Sequence, residues 1–439
     1  AAFIPIYTKL KNEHPHRAQN YVSSLFSYYV LILSIITFFA VIFSKILILV
    51  LAPGFSKNPQ ILETASNLVK IVFPYLVLIG IVSFFTAVLN TKDRFFIPAV
   101  SPALLNLSFI AFAFFLSSHF GIYSLAFGAL FGGFLQVLLT FFLFKKEGFK
   151  ISFSFKFIDE IKTTLNRLLP AFASFGVSQF GFVVDTILAS LIMAGAISYL
   201  YYANRIFQLP IGVFAVGLGN ALLVSLSKYY AEKNQNAFDK DLNNGLRLAV
   251  VISLPASIGM IVLGKEIIEI LFQRGQFSQT DTNYTYQALI GYAVGLLFYT
   301  LTRPFKSAFF AKEDVKTPLY STIAGILGSI LFAVVFVFIL NFGVFGLALA
   351  SSTAGIINLI YLYYFYDGFI NKKAFLITFF KSSIASFFMA VAIYALKPFI
   401  NNSFVLVFSG ILLAIFVYFG VLILLKEDIV KNLLKRRFK

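Results

Sequence analysis

The sequence predicts an all-α polytopic membrane protein, and three observations carry that prediction. Of the 439 residues, 59% are hydrophobic and only 12% charged, with a mean hydropathy of +0.89, whereas a soluble domain carries about 25% charged residues. Apolar stretches long enough to cross a bilayer as helices, about 20 residues each, recur along the whole chain. The connections between them alternate in basic character, as they do in multi-pass proteins.

Taken in order, twelve stretches fall at 22–51, 68–90, 99–118, 121–144, 164–193, 196–227, 245–263, 284–311, 317–341, 343–366, 374–396 and 403–425. Each is expected to be helical, because backbone groups in hydrocarbon must be paired within the segment. One set of alternate connections holds Lys9, Lys11 and Arg17, then Lys92 and Arg94, then Lys145, Lys146, Lys150, Lys156 and Lys162. The same set continues through Lys228, Lys233, Lys240 and Arg247, Lys312 and Lys316, Lys372 and Lys373, and the C-terminal tail Lys426–Lys439. The other set holds Lys57, Lys265, Arg274 and Lys397. The positive-inside rule places the first set, with the C-terminus, in the cytoplasm. The tail reads as a basic amphipathic anchor on anionic lipid headgroups.

The net charge of +17 is accounted for by this topology and calls for no nucleic-acid partner. There is no Cys and no Trp. Disulfides and thiolate metal sites are excluded, and interfacial anchoring falls to the 22 Tyr and 57 Phe.

The chain repeats itself at an offset of about 220 residues. Thr91–Pro98 (TKDRFFIP) lines up with Ala311–Pro318 (AKEDVKTP), both cytoplasmic turns closed by proline. Phe120–Ala126 (FGIYSLA) lines up with Phe342–Ala348 (FGVFGLA), both tight outer turns. Ala52–Phe55 corresponds loosely to Gln273–Phe277, each followed by a polar, amphipathic approach to the next span. Phe3–Lys9 resembles Leu222–Lys228. The predicted organisation is an N-lobe over 1–144, a cytoplasmic linker over 145–163, a C-lobe over 164–366, and an extra C-terminal helix pair with its basic tail over 367–439. In the second lobe two spans precede or contain the segment that matches Phe3–Lys9. The same offset therefore predicts roughly sixty residues, carrying two further spans, before Ala1.

Arg205 stands inside the stretch 196–227, where an arginine at mid-membrane costs about 2.5–3.5 kcal/mol on insertion scales. It is retained there if protein, water or an anionic ligand surrounds it, which points to a polar cavity. Snorkelling to a headgroup or pairing with another helix is the alternative. Asn204 and Gln208 flank it, and Gln208, at i+3, shares nearly the same helical face. Pro210 removes a backbone hydrogen bond five residues on and is expected to bend the helix, while Gly212, Gly217 and Gly219 suggest flexibility or close packing beyond it.

Gln179, Asp185, Arg303 and Lys306 are the other intramembrane polar candidates. Asp185 is a candidate counter-ion for Arg205 across the hairpin at 193–196. Arg303 and Lys306 either line the inner mouth of the same cavity or snorkel. With three cations, the cluster suits an anionic ligand such as a pyrophosphate or carboxylate better than a cationic drug. Gly128–Gly132 and Gly291–Gly295 read as small-residue packing faces.

Gly259–Glu266 (GMIVLGKE) imitates a phosphate-binding loop but has Glu266 where Ser or Thr would hold Mg²⁺, and it lies in an apolar span rather than a strand-to-helix turn. His14, His16 and His119 stand in connections, no acidic cluster has metal-ligand spacing, and no nucleophile–base set or paired carboxylates suggest catalysis. The expectation is a transporter that needs no cofactor or metal, not an enzyme.

A resemblance completes the reading. Phe73–Tyr75, Leu89–Thr91, Arg94, Pro98 and Pro102–Asn106, then Gln179, the run YYANR at 201–205 with Leu209 and Pro210, Gly217–Gly219, Ser225–Lys228 and Lys316–Pro318 resemble the MurJ (MviN) family of bacterial lipid II flippases, in order along the whole chain. The wider multidrug/oligosaccharidyl-lipid/polysaccharide exporter superfamily shares only the two-lobe plan.

The resemblance implies fourteen spans, two six-helix lobes around a central cationic cavity, and a last helix pair forming a groove for an undecaprenyl tail. It implies a multi-pass protein of the bacterial inner membrane that moves lipid II, an undecaprenyl-pyrophosphate-linked disaccharide-pentapeptide, by alternating access. Membrane lipids and cell-wall synthesis proteins are the partners it suggests. Arg205 matches the family's cavity arginine on the eighth helix. The family's other key arginines lie on its first two helices and are not carried over, so a chain beginning at Ala1 is expected not to transport by itself. Some members have an Asp and a Glu beside the cavity arginine, where this chain has Asn204 and Gln208.

Overall fold

The computed structural model describes residues 3–431. Ala1, Ala2 and the last eight residues of the basic tail lie outside the described residues. Sixteen α-helices follow one another among the described residues, with no strand: α1 Phe3–Glu13, α2 Pro15–Ile42, α3 Ser44–Leu51, α4 Pro59–Val72, α5 Tyr75–Asn90, α6 Phe96–Phe120, α7 Tyr123–Lys146, α8 Asp159–Ile192, α9 Ala196–Pro210, α10 Val216–Ala231, α11 Gln235–Phe272, α12 Gln279–Ala311, α13 Lys316–Val334, α14 Gly343–Tyr364, α15 Lys372–Leu396 and α16 Ser403–Leu424. Eleven helical stretches among the described residues are long and apolar enough to span a membrane. They coincide with eleven of the twelve expected spans. The twelfth falls on α8, a continuous helix whose described apolar stretch, Gln179–Ile192, is shorter. Large apolar side chains such as Phe114 and Phe416 are 79% and 78% exposed, as hydrocarbon-facing surfaces are and water-facing ones are not. The protein is an all-α polytopic membrane protein.

The chain divides into two compact units, Ala1–Gln179 and Phe180–Lys439. In the first, α6 and α7 form a tight hairpin. A Cβ on Gly132 would come within 2.9 Å of the Leu105 Cα, and one on Gly128 within 3.1 Å of the Phe112 Cβ. The Ser108 hydroxyl donates to the Gly128 carbonyl at 2.7 Å. Phe26, Phe84, Phe85 and Phe144 pack as one aromatic core. The segment 149–158 then runs along α2, with Ser154 N donating to Ser27 Oγ at 2.9 Å and Tyr28 donating to the Phe155 carbonyl at 2.7 Å.

In the second unit α12 is central, touching α9, α10, α11 and α14. A Cβ on Gly291 would meet the Phe345 carbonyl at 2.8 Å and Leu349 N at 2.9 Å. One on Gly295 would meet the Ser352 Cα at 2.9 Å. Both glycine pairs are thus packing faces, as their spacing suggested. The outer pair α15–α16 lies on α11. Tyr418 donates to the Val251 carbonyl at 2.8 Å, and Lys397 and Glu266 pair at 2.6 Å. The stretch that imitates a phosphate-binding loop is interior to α11 and supplies that ion pair.

The internal repeat reappears in the backbone. Asp93 and Glu313, 220 positions apart, both take the left-handed conformation, at φ 58° and 63°. Each ends its helix with a six-residue closure, Arg94 N to the Leu89 carbonyl at 3.3 Å and Asp314 N to the Phe309 carbonyl at 2.9 Å. Gly121 and Gly343, at φ 54° and 55°, make the matching turns before α7 and α14, where only a residue without a Cβ avoids strain. Lys92 pairs with Glu147 at 3.9 Å and lies over Phe149. At the same offset Lys312 pairs with Asp367 at 2.6 Å and lies over Tyr366.

Candidate functional site

The helix α9 carries Tyr201, Asn204, Arg205 and Gln208 at i, i+3, i+4 and i+7, one face of a 3.6-residue repeat. The opposite face, Tyr199, Ala203, Ile206 and Phe207, is buried in the apolar core of the second unit. The polar face is therefore turned by its neighbours into a cavity of about 300 Å³. Asp185 and Thr186 of α8, Tyr292 and Tyr299 of α12, and Ser351 of α14 complete its polar lining.

Within the cavity Arg205 Nη2 donates to the Tyr201 hydroxyl at 2.7 Å, and its guanidinium lies 4.7 Å from the centre of the same ring. Gln208 donates to the Asn204 side-chain carbonyl. Ser351 Oγ donates to Asp185 Oδ2 at 3.3 Å, and Tyr299 donates to the Ser351 carbonyl at 2.8 Å. Phe207 stacks on Tyr292 with ring centres 5.4 Å apart, closing the apolar side. No ion pair joins Arg205 and Asp185 among the described residues. The guanidinium keeps donors in hand, beside two amide side chains and several hydroxyls. Such a set can clasp a multi-oxygen anion and hydrogen-bond an attached polar group.

Four of the expected residues, Arg205, Asn204, Gln208 and Asp185, line this one cavity. Gln179, Arg303 and Lys306 are not among its lining residues. Gln179 is exposed on α8. Arg303 packs by its Cβ near Gly219 of α10, and Lys306 donates to Thr322 Oγ1 of α13 at 3.1 Å. Both stand on the α12 stripe that contains Tyr292 and Tyr299, at steps of seven, four and three residues. The cations thus continue the cavity's face along the helix instead of clustering in it.

Beyond Pro210 the chain makes one π turn, Ile211–Ala215, before α10 begins. Gly212 and Gly217 face open space, while Gly219 receives the Ser307 hydroxyl on its carbonyl at 2.8 Å. The missed lining residues had partial signals. Tyr201 stands four before Arg205 and Tyr292 and Tyr299 are a heptad apart, but nothing local marks Ser351.

Residues 1–415 match the family described as Lipid II flippase MurJ. The chain belongs to the MurJ family. It is 34% identical over 430 residues to the probable lipid II flippase MurJ of Aquifex aeolicus, covering 98% of this chain and 84% of that protein. It is 35% identical to the probable lipid II flippase MurJ of Buchnera aphidicola subsp. Schizaphis graminum, over 85% of this chain and 73% of that one. Among solved structures, that of a lipid II flippase MurJ in an inward closed conformation superposes with a TM-score of 0.83 at 29% identity, covering 98% of this chain and 89% of that one. An inward-facing multidrug MATE transporter superposes with a TM-score of 0.67 at 18% identity, a likeness of fold alone. Membership of a flippase family places the chain among multi-pass transporters.

Proposed function

We propose that this protein translocates lipid II across the bacterial inner membrane by alternating access, with the pyrophosphate bound at Arg205. The observation that carries the reading is a membrane-embedded cavity with two amides, five hydroxyls and an arginine that enters no ion pair among the described residues, in a chain of the MurJ family. A flippase must desolvate a large polar headgroup while its lipid stays in hydrocarbon. A polar cavity beside an apolar groove suits that task.

In this reading Asn204 and Gln208 hydrogen-bond sugar or phosphate, and Asp185 balances the arginine when the substrate is absent. Gln179, Arg303 and Lys306 meet the headgroup along its path. A groove of about 560 Å³ between the π turn after α9, α11, α15 and α16, lined by Phe214, Met260, Leu263, Met389, Ile411 and Phe419 among others, takes the polyprenyl tail. The lobes run over 1–144 and 164–366, joined by 145–163, with 367–439 as the added pair and tail, and the C-terminus is cytoplasmic. Cell-wall synthesis proteins are candidate partners. Arg205→Ala is expected to abolish lipid II movement in proteoliposomes while the protein folds normally. Wild-type rates in that variant overturn the assignment. Exchanging Arg205 and Asp185 separates substrate binding from a structural pair, since only a structural pair survives the swap.

A further inference from the structure

A second cavity, of about 350 Å³, lies between α11, α12, α14 and the start of α15. Its walls are apolar, formed by Leu301 and Phe305 of α12, Leu359 and Ile360 of α14, and Leu376 of α15. A single charged residue lines it, Lys372, in the first turn of α15. Ile360 and Leu376 are 61% and 49% exposed, so the crevice opens on the outward apolar surface. Apart from Lys372 and Tyr363 the lining is apolar, short of the two to four polar partners an ordered water needs along the length of the slot.

At the mouth, the Lys372 ammonium lies 5.8 Å from the centre of the Tyr363 ring. Neither Lys372 nor Lys373 enters an ion pair among the described residues, in contrast to Lys312, which holds Asp367. The first turn of a helix disfavours cations, and an anion resting on both lysines offsets that cost.

We propose that this crevice binds an anionic phospholipid, with one acyl chain between α12, α14 and α15 and its phosphate on Lys372 and Lys373. The pairing follows from charge complementarity, an apolar slot in hydrocarbon ending at an unpaired cation. The bound lipid bridges α14 and α15 and so cements the outer helix pair to the body of its unit. The site is separate from the Arg205 cavity and from the groove beside α16, and does not depend on the substrate assigned to them.

The test uses the full chain in nanodiscs with acyl-diazirine photoprobes of phosphatidylglycerol and phosphatidylcholine, the labelled peptides being mapped by mass spectrometry. Phosphatidylglycerol is expected to label peptides carrying Ile360 and Leu376 in preference to phosphatidylcholine. Lys372→Gln should cut that labelling about fivefold, the effect of one basic residue at an anionic headgroup, and Lys372→Arg should retain it. Ile360→Trp, which fills the slot, should remove it while labelling at Phe416 persists. Equal labelling by the two lipids, absence of label at these peptides, or loss in Lys372→Arg as well as Lys372→Gln overturns the proposal.

Discussion

The Tyr201 hydroxyl accepts a hydrogen bond from Arg205 at 2.7 Å, and the same ring lies 4.7 Å beneath the guanidinium. One turn of α9 separates the two residues, so the tyrosine orients the charge without neutralising it. Tyr201→Phe keeps the ring and loses the hydrogen bond, a change of about 1 kcal/mol. The initial rate of lipid II transport should fall about fivefold, and Tyr201→Ala should cost more. An unchanged rate in Tyr201→Phe would show that the hydroxyl does not position the arginine.

Gly291 is expected to be intolerant of any side chain. Even alanine would bring a Cβ within 2.8 Å of the Phe345 carbonyl and 2.9 Å of Leu349 N, both backbone atoms that cannot swing aside. Overpacking of this kind costs about 1–3 kcal/mol. Gly291→Ala should lower the thermal midpoint of the purified protein, whereas Gly212→Ala, where nothing lies within 4 Å, should leave it nearly unchanged.

Glu427 is fully buried and held by Arg247 at 2.7 Å, Thr378 at 2.8 Å and Lys381 at 3.5 Å. Removing Arg247 leaves a buried carboxylate with only its weaker partners, a class of change that costs about 3–5 kcal/mol. Arg247→Met should therefore loosen α15–α16 from α11, seen as faster proteolysis between residues 365 and 372. The double variant Arg247→Met/Glu427→Gln should recover much of the loss. Equal protease sensitivity in all three proteins would remove the staple role.

The Lys312–Asp367 pair sets a pH dependence. The hydrogen bond from Lys312 is the largest influence holding the Asp367 carboxyl below the usual carboxylate range. A carboxyl depressed on folding contributes stability above its unfolded pKa, near about 3.9, and loses it as the pH falls through the lower folded value. Asp367 is 82% exposed, so solvent screening limits the effect to about 0–1 kcal/mol. The thermal midpoints of wild type and Asp367→Asn should differ slightly from pH 5 to 8 and converge below about pH 4. A difference that persists in acid excludes this pair as its source.

Sequence and tertiary structure divided the work according to the range of the interactions involved. Helix positions were legible because apolar runs of bilayer length have one way to satisfy their backbone in hydrocarbon. The repeat was legible because matched turns need matched residues, and Asp93 with Glu313, and Gly121 with Gly343, share a backbone conformation that the sequence marks locally. Arg205 stood out by its cost in a membrane, and its i+3 and i−1 neighbours came with it on one helical face. Which faces meet is a matter of packing between helices distant in the chain. Only the fold could bring Ser351 of α14 to Asp185 of α8, 166 residues away, or leave Arg303 and Lys306 one turn and more along α12 from the cavity. It alone joined Glu427 to Arg247 across 180 residues. A charge in an apolar helix announces that it needs a partner, and the partner's identity is decided by which helices pack together.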